Sequence, residues 1–236
     1  MRFMCMHKVD AKMEAGEKPS KELIQEMGQF VGKYLKSGVF KDGAGLHRSA
    51  ARARVRFTGD KPTVERGPYK GTNELLASFA TVTTTGIEQA ITLGTELGKA
   101  AGNCEVEIGP VVEGWDLTGS PRPADAPHRF LLLVKANAAF EAGASKSAAE
   151  RALLDGWQRD GILQSEATLR PSKGALRVKT SGGKNHWTDG PFTESKELVA
   201  GFSILELPTL EDAKRMTEDY VRILGDTECD IREVAL

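Results

Sequence analysis

Apolar residues fall along this chain in an order that occurs twice. Arg2 to Lys8 (RFMCMHK) is a mainly apolar stretch of strand length, and Arg129 to Lys135 (RFLLLVK) is another. A loop follows each, then a helical pattern. Leu23, Ile24, Met27, Phe30, Val31, Tyr34 and Leu35 recur at helical spacing, with Ser20 as N-cap and Gly38 as stop. In the second half, SAAE at Ser147 to Glu150 is a capping-box pattern ahead of Leu153, Leu154 and Trp157. Next come two short strands around ARVRF or LRVKT, turned by TGDKP or SGGKN. A Gly-Pro stretch leads into a longer apolar strand, LLASFATV or LVAGFSIL. A second helix, opened by TGIE at Thr85 or TLED at Thr209, precedes the last strand.

The two halves also align residue by residue. Arg2, Phe3, Lys8 and Glu14-Ala15-Gly16 match Arg129, Phe130, Lys135 and Glu141-Ala142-Gly143 at an offset of 127. From Leu46 to Val111 the offset is 123 without a gap, with identities at Ser49/Ser172, Arg54/Arg177, Gly67/Gly190, Pro68/Pro191, Glu74/Glu197 and Phe79/Phe202. Such a register reads as a duplication. The stretch Glu113 to Pro127 has the Pro, Gly and Asp content of a linker. The expected organisation is therefore a first repeat over 1–119, a linker over 120–127 and a second repeat over 128–236. Each repeat has a βαβ-type order with added hairpin strands, so the expected class is α+β, with tandem ferredoxin-like repeats. One such unit leaves a sheet face partly apolar. Two copies can cover those faces against each other, as a barrel-like core within one chain.

Composition narrows the function classes only slightly. The 236 residues are 40% hydrophobic and 28% charged, ordinary for a globular protein, and the net charge of -1 offers no field to attract a polyanion. Nucleic acid is not an expected partner. The longest strongly apolar run, Phe130 to Val134, is too short for a bilayer, and no secretory leader is legible at the N-terminus. Three cysteines without a CxxC spacing fit reduced thiols, so the expected location is cytoplasmic. The four histidines show no metal-binding spacing, and no nucleophile elbow, Walker loop or dinucleotide fingerprint appears. Neither a metal nor a cofactor is expected.

DGPFTESKELVAGF (Asp189 to Phe202) resembles the signature of the YCII-related, or DGPF, family. LRPSKGALRV ahead of it and EAGEKPSKELIQEMGQF in the first half are similar to that family too. The resemblance covers nearly the whole chain as two tandem units and implies a dimeric α/β-barrel-like fold. Some relatives are dehydrochlorinase-like enzymes of aromatic breakdown; others occur beside or fused to alternative sigma factors. Proposed catalytic members rely on a His–Asp pair with the His early in the unit. This chain has no His in either first helix, and in its first half Arg66 and Tyr69 replace the Asp and Phe of the motif.

Two readings of the motif follow. In the first, Asp189 shapes a turn, with Gly190 and Pro191 setting its exit. In the second, Asp189 or His186 carries a proton in a cleft, with Arg177 as an anion anchor and Glu194, Lys196, Glu197 and Glu141 at the substrate. Strand alternation would put Glu194 and Lys196 on one face and Ser195 and Glu197 on the other. Glu74 and Glu197, present in both halves, have Arg54 and Arg177 as expected partners. The functional expectation is a small organic ligand, with cofactor-independent proton transfer or elimination on a small polar or aromatic substrate. The alternative is a non-catalytic binding module with a sigma factor or other protein partner.

Overall fold

A computed structural model describes residues 1–192, 195 and 198–235. In chain order the elements are β1 (Arg2–Lys8), α1 (Ala11–Ala15), α2 (Lys21–Lys36), β2 (Phe40–Leu46), β3 (Ala53–Thr58), β4 (Lys61–Arg66), β5 (Leu76–Thr84), α3 (Ile87–Ala100), β6 (Val106–Val112) and α4 (Gly114–Thr118). They continue as β7 (His128–Lys135), α5 (Ala138–Glu141), α6 (Ala148–Arg159), β8 (Leu163–Thr168), β9 (Leu176–Ser181), β10 (Lys184–Asp189), β11 (Val199–Glu206), α7 (Leu210–Leu224) and β12 (Thr227–Glu233). The class is α+β, with every strand pairing antiparallel.

Local chemistry sets most of the boundaries. Ser20, Ser147 and Thr209 cap α2, α6 and α7, each side chain accepting from the backbone N–H three residues on. Helix α3 departs from the expected opening at Thr85. Its N-cap is Gly86, and the Gln89 side chain reaches back to accept from the Thr85 N–H at 2.7 Å. Gly182 and Gly183, both at positive φ, close the β9–β10 hairpin in the manner of a type I′ turn. The linker-like stretch holds α4, opened by a reciprocal cap between Glu113 and Asp116.

The strands form two six-stranded sheets, in the orders β10-β9-β12-β1-β11-β2 and β4-β3-β6-β7-β5-β8. Neither sheet is built from one half of the chain. The first takes β1 and β2 from the N-terminal region and β9 to β12 from the C-terminal region; the second takes everything from β3 to β8. They join where Gly45 and Leu46 of β2 pair with Val112 and Val111 of β6. On the far side Leu169 bridges Val234, and the Ala235 N–H donates to the Thr168 carbonyl at 2.8 Å.

Among the described residues, the three larger of four apolar clusters show where the core sits. One lies between the second sheet and helices α3 and α6, and includes Phe130, Leu132 and Val134. Another lies beneath α7 and includes Phe3, Cys5, Cys229 and Ile231. The third is shared between the facing sheets: Met4, Met6, Leu131, Leu133, Phe79 and Phe202, with the two phenyl rings 4.8 Å apart. The unbroken FLLLV run is thereby explained, since alternate residues of β7 enter different cores and both faces of the strand are covered. Among the described residues, no helix is long and apolar enough to cross a membrane.

Candidate functional site

The strands that bury Met6 and Leu133 between the sheets next present Lys8 and Lys135 on the same side, by the two-residue period. Both lysines are buried, and each meets carboxylates. Lys135 Nζ contacts Glu74 and lies 3.0 Å from Glu107 Oε2. Arg54 pairs with Glu74 at 2.9 Å, with Glu107 at 3.4 Å and with Glu105 at 3.1 Å. Arg52 reaches Glu107 at 2.6 Å and crosses to the other sheet, donating to the Val199 carbonyl at 2.8 Å. Arg56 extends the cluster outward to Glu105 and Glu65. Burial alone would raise the Glu107 pKa, but Lys135 and Arg52 outweigh it and hold the carboxyl well below its usual range. Burial would likewise lower the Lys135 pKa, yet Glu107 and Glu74 keep the ammonium charged and shift it upward.

The second half has its own version. Lys8 lies 3.1 Å from Asp230, and Arg177 grips Asp230 with both Nε (2.6 Å) and a terminal nitrogen (3.0 Å). Lys8 also donates to Ser195 Oγ at 3.0 Å, while the Ser195 carbonyl accepts the Glu74 N–H at 2.7 Å. Buried Ser195 therefore ties the two charge clusters together.

The Gly-Pro-aromatic motif holds the arginines of both clusters. Arg54 stacks 4.3 Å over the Tyr69 ring, and Arg177 stacks 4.3 Å over Phe192. The Tyr69 and Phe192 N–H groups donate to the hydroxyls of Ser49 and Ser172, which in turn donate to Glu14 and Glu141. A Cβ on Gly67 would lie 1.7 Å from the Ser49 carbonyl oxygen, and one on Gly190 would lie 1.8 Å from that of Ser172. Only glycine fits where these two segments cross.

The expected site residues are thereby located. Asp189 and His186 are exposed on β10, which ends one side of the first sheet; three residues apart, they project from opposite faces of that strand. The structure does not bring them together. Arg177 is engaged by Asp230, with Glu228 at 3.3 Å. Glu141 accepts from the Ser172 N–H at 2.9 Å and from its hydroxyl at 2.6 Å, so it supports the turn beneath Phe192. Glu194, Lys196 and Glu197 lie outside the described residues. The expected Arg54–Glu74 partnership is present.

Sequence reasoning passed over Lys8, Lys135, Glu107 and Asp230 as site residues, although the repeat register paired Lys8 with Lys135 and placed Asp230 opposite Glu107. It also passed over a cleft. Lys135 and Glu105 form the floor of a depression of about 260 Å³, walled by Thr72, Asn73, Asn103 and Asn137 and by the Cys104 thiol. Asn137 donates to Cys104 Sγ at 3.3 Å, and burial together with the nearby Glu150 carboxylate pushes that thiol's pKa up. Cys104 is therefore held as a neutral thiol. Asn103 stands at φ 61, unusual outside glycine, with its amide donating to Asp60 at 2.9 Å.

An exchange of positions accompanies the two clusters. In the first half Arg52 is buried beside Gly109, its Nε donating to the His47 carbonyl at 2.6 Å. At the corresponding positions the second half has Ala175 and Arg232, and buried Arg232 donates to the carbonyl of Arg170, the counterpart of His47. A guanidinium thus meets the same carbonyl in both halves, but it arrives from different strands.

Residues 128–224 match the family model of the YCII-related domain, a span of less than half the chain. No curated protein and no solved structure matches it.

Two predictions follow from this geometry. Arg52→Ala leaves Glu107 short of a buried partner and should cost about 3–5 kcal/mol in urea unfolding. Adding Gly109→Arg, the second-half arrangement, should restore at least about a third of that loss; no recovery would mean that the two guanidinium positions are not equivalent. The other prediction concerns His7, whose ring packs against Gly201 and accepts or donates at Tyr220 Oη, 2.8 Å away. Burial lowers its pKa to about 4. Its folded pKa lies below the unfolded value of about 6.5, so the unfolded chain binds the extra proton. Stability should be full above about pH 6.5 and fall as pH drops towards about 4. His7→Gln should flatten the stability profile in that window and leave the carboxylate-dependent loss below about pH 4.

Proposed function

We propose that this chain is a small-molecule-binding protein of YCII-like architecture: two ferredoxin-like repeats that exchange halves to make one dimeric-α/β-barrel-like body. The exchange reading is supported by the sheet composition, in which each sheet draws on strands from both sequence repeats. The observation that carries the binding reading is the cleft over Lys135 and Glu105, where a depression in the surface opens directly onto a buried, hydrogen-bonded charge cluster. Polar groups converging on a concave site are the usual mark of small-ligand recognition.

A catalytic form of this reading is cofactor-independent proton transfer or elimination, with Asp189 or His186 as proton carrier and Arg177 as anion anchor. The geometry favours binding at the cleft over Lys135 instead of that form, because Asp189 and His186 project into solvent from opposite faces of β10. Screening small polar molecules by ligand-observed NMR, then repeating the titration with variants, separates the two. Asn137→Ala should weaken binding at least about tenfold, whereas Asp189→Asn and His186→Ala should leave it unchanged. The reverse pattern would move the site to β10.

Helix α2 favours a second reading, a non-catalytic module that docks a protein such as a sigma factor. Phe30 and Tyr34 pack on the core beneath α7, but Leu23, Ile24, Met27 and Val31 are only half-buried, and Leu35 is 54% exposed. Ile24→Ser with Val31→Ser should abolish pull-down of such a partner by the full chain without lowering the unfolding midpoint. Unimpaired pull-down would remove α2 as the docking face.

A further inference from the structure

We infer that the cleft over Lys135 selects a neutral molecule bearing a carboxamide or an equivalent paired donor and acceptor, and rejects carboxylates and other anions. This rests on the binding reading above and specifies its ligand class.

The first reason is charge. The cluster beneath the cleft sets four cations (Arg52, Arg54, Arg56, Lys135) against four carboxylates (Glu65, Glu74, Glu105, Glu107), linked in one chain of ion pairs. Its formal sum is zero, although a lysine on the floor suggests an anion site at first sight. An incoming carboxylate would lose hydration and find no uncompensated cation in exchange. It would also approach Glu105, which lines the cleft. An incoming ammonium fares no better, since Lys135 is beside it.

The second reason is the hydrogen-bonding capacity of the walls. Asn73 Oδ1 accepts the Leu75 N–H at 3.3 Å, which leaves the Asn73 amide nitrogen to donate. Asn137 Oδ1 accepts the Phe140 N–H at 2.8 Å and its Nδ2 spends one hydrogen on Cys104, leaving a second. Asn103 Nδ2 likewise spends one hydrogen on Asp60, leaving a second, and its Oδ1 is available to accept. The Thr72 hydroxyl can serve in either sense. Donors and acceptors thus face the same space, and a carboxamide answers both, whereas a carboxylate only accepts.

The test compares three probes of one shape on the full-length chain: nicotinamide (neutral), nicotinate (anionic) and 3-(aminomethyl)pyridine (cationic). Binding is read from the side-chain amide resonances of Asn73, Asn103 and Asn137, each assigned by substitution. Nicotinamide should shift them with a Kd at least about tenfold lower than either charged probe. Glu105→Gln removes one negative charge from the cluster and should narrow the preference over nicotinate at least about fivefold. Tighter nicotinate or ammonium binding at the same three resonances would overturn the ligand class while leaving the cleft as the site. If no probe moves these resonances, the binding reading fails, and the inference fails with it.

Discussion

Lys135, Glu74 and Glu107 are each almost wholly shut away from water, and no ion can be held there alone. Each of these charges is kept only while the others stand within hydrogen-bonding distance. Breaking a buried pair costs several kcal/mol because the remaining ion is stranded. That constraint fixes much of the fold around it. Glu107 must come from β6, Lys135 from the end of β7, Arg54 from β3 and Glu74 from the segment ahead of β5, so four separated pieces of chain are held in register at one point. Arg52 extends the constraint across the space between the sheets by donating to the Val199 carbonyl. The apolar residues between the sheets make association favourable, but they would tolerate small slips. The charge cluster would not.

The Gly-Pro-aromatic segment serves that cluster. Gly67 brings the chain against the Ser49 carbonyl, closer than any side chain permits, and this delivers the Tyr69 ring beneath Arg54. Stacking leaves the edge of the guanidinium free for carboxylates, so the ring supports the arginine without competing for its hydrogen bonds. Gly190, Ser172, Phe192 and Arg177 repeat the arrangement. The position just before Gly-Pro is different: Arg66 in the first half is paired on the surface with Glu88, and Asp189 in the second half is exposed. The glycine and aromatic positions are fixed by sterics and stacking, whereas the position before them faces solvent in both halves.

This explains which features were legible in the sequence. The strand and helix order was, because alternation in RFMCMHK and helical spacing from Leu23 to Leu35 depend on each segment's own burial pattern. The Arg54–Glu74 pair was also within reach, since identical residues recur at one offset in the second half. That each sheet draws strands from both halves of the chain was not, because β1 has the same apolar pattern whether it pairs with β5 and β6 or, as observed, with β11 and β12. Asp189 and His186 stand close together in and beside the DGPF motif, but an edge strand exposes such residues without bringing them together. The cleft was hidden for a related reason: Asn73, Asn103 and Asn137 lie in three separate loops, and nothing local marks them as neighbours.

Arg52 and Arg232 show how the two halves of the chain satisfy one physical need by different routes. The carbonyls of His47 and Arg170 end β2 and the corresponding segment after β8, and both turn inward, away from water. Each needs a donor, and in each half a guanidinium supplies it. Space limits the choice. A side chain at 109 would crowd Leu46 and the Arg52 stem, so the half that keeps Arg52 has glycine there; the half that has Arg232 keeps only alanine at 175. The requirement is for one guanidinium at the carbonyl, and two would not fit. The routes differ in their electrostatics. Arg52 is met directly by Glu107, whereas burial lowers the Arg232 pKa, with Glu141 3.6 Å away only partly offsetting it. Around Arg52 the buried charges are matched, and that cluster opens onto a cleft. Internal compensation is what lets a surface depression reach a buried ion cluster: a floor that already sums to zero can admit water or a neutral ligand without giving up the pairs that hold its strands in register.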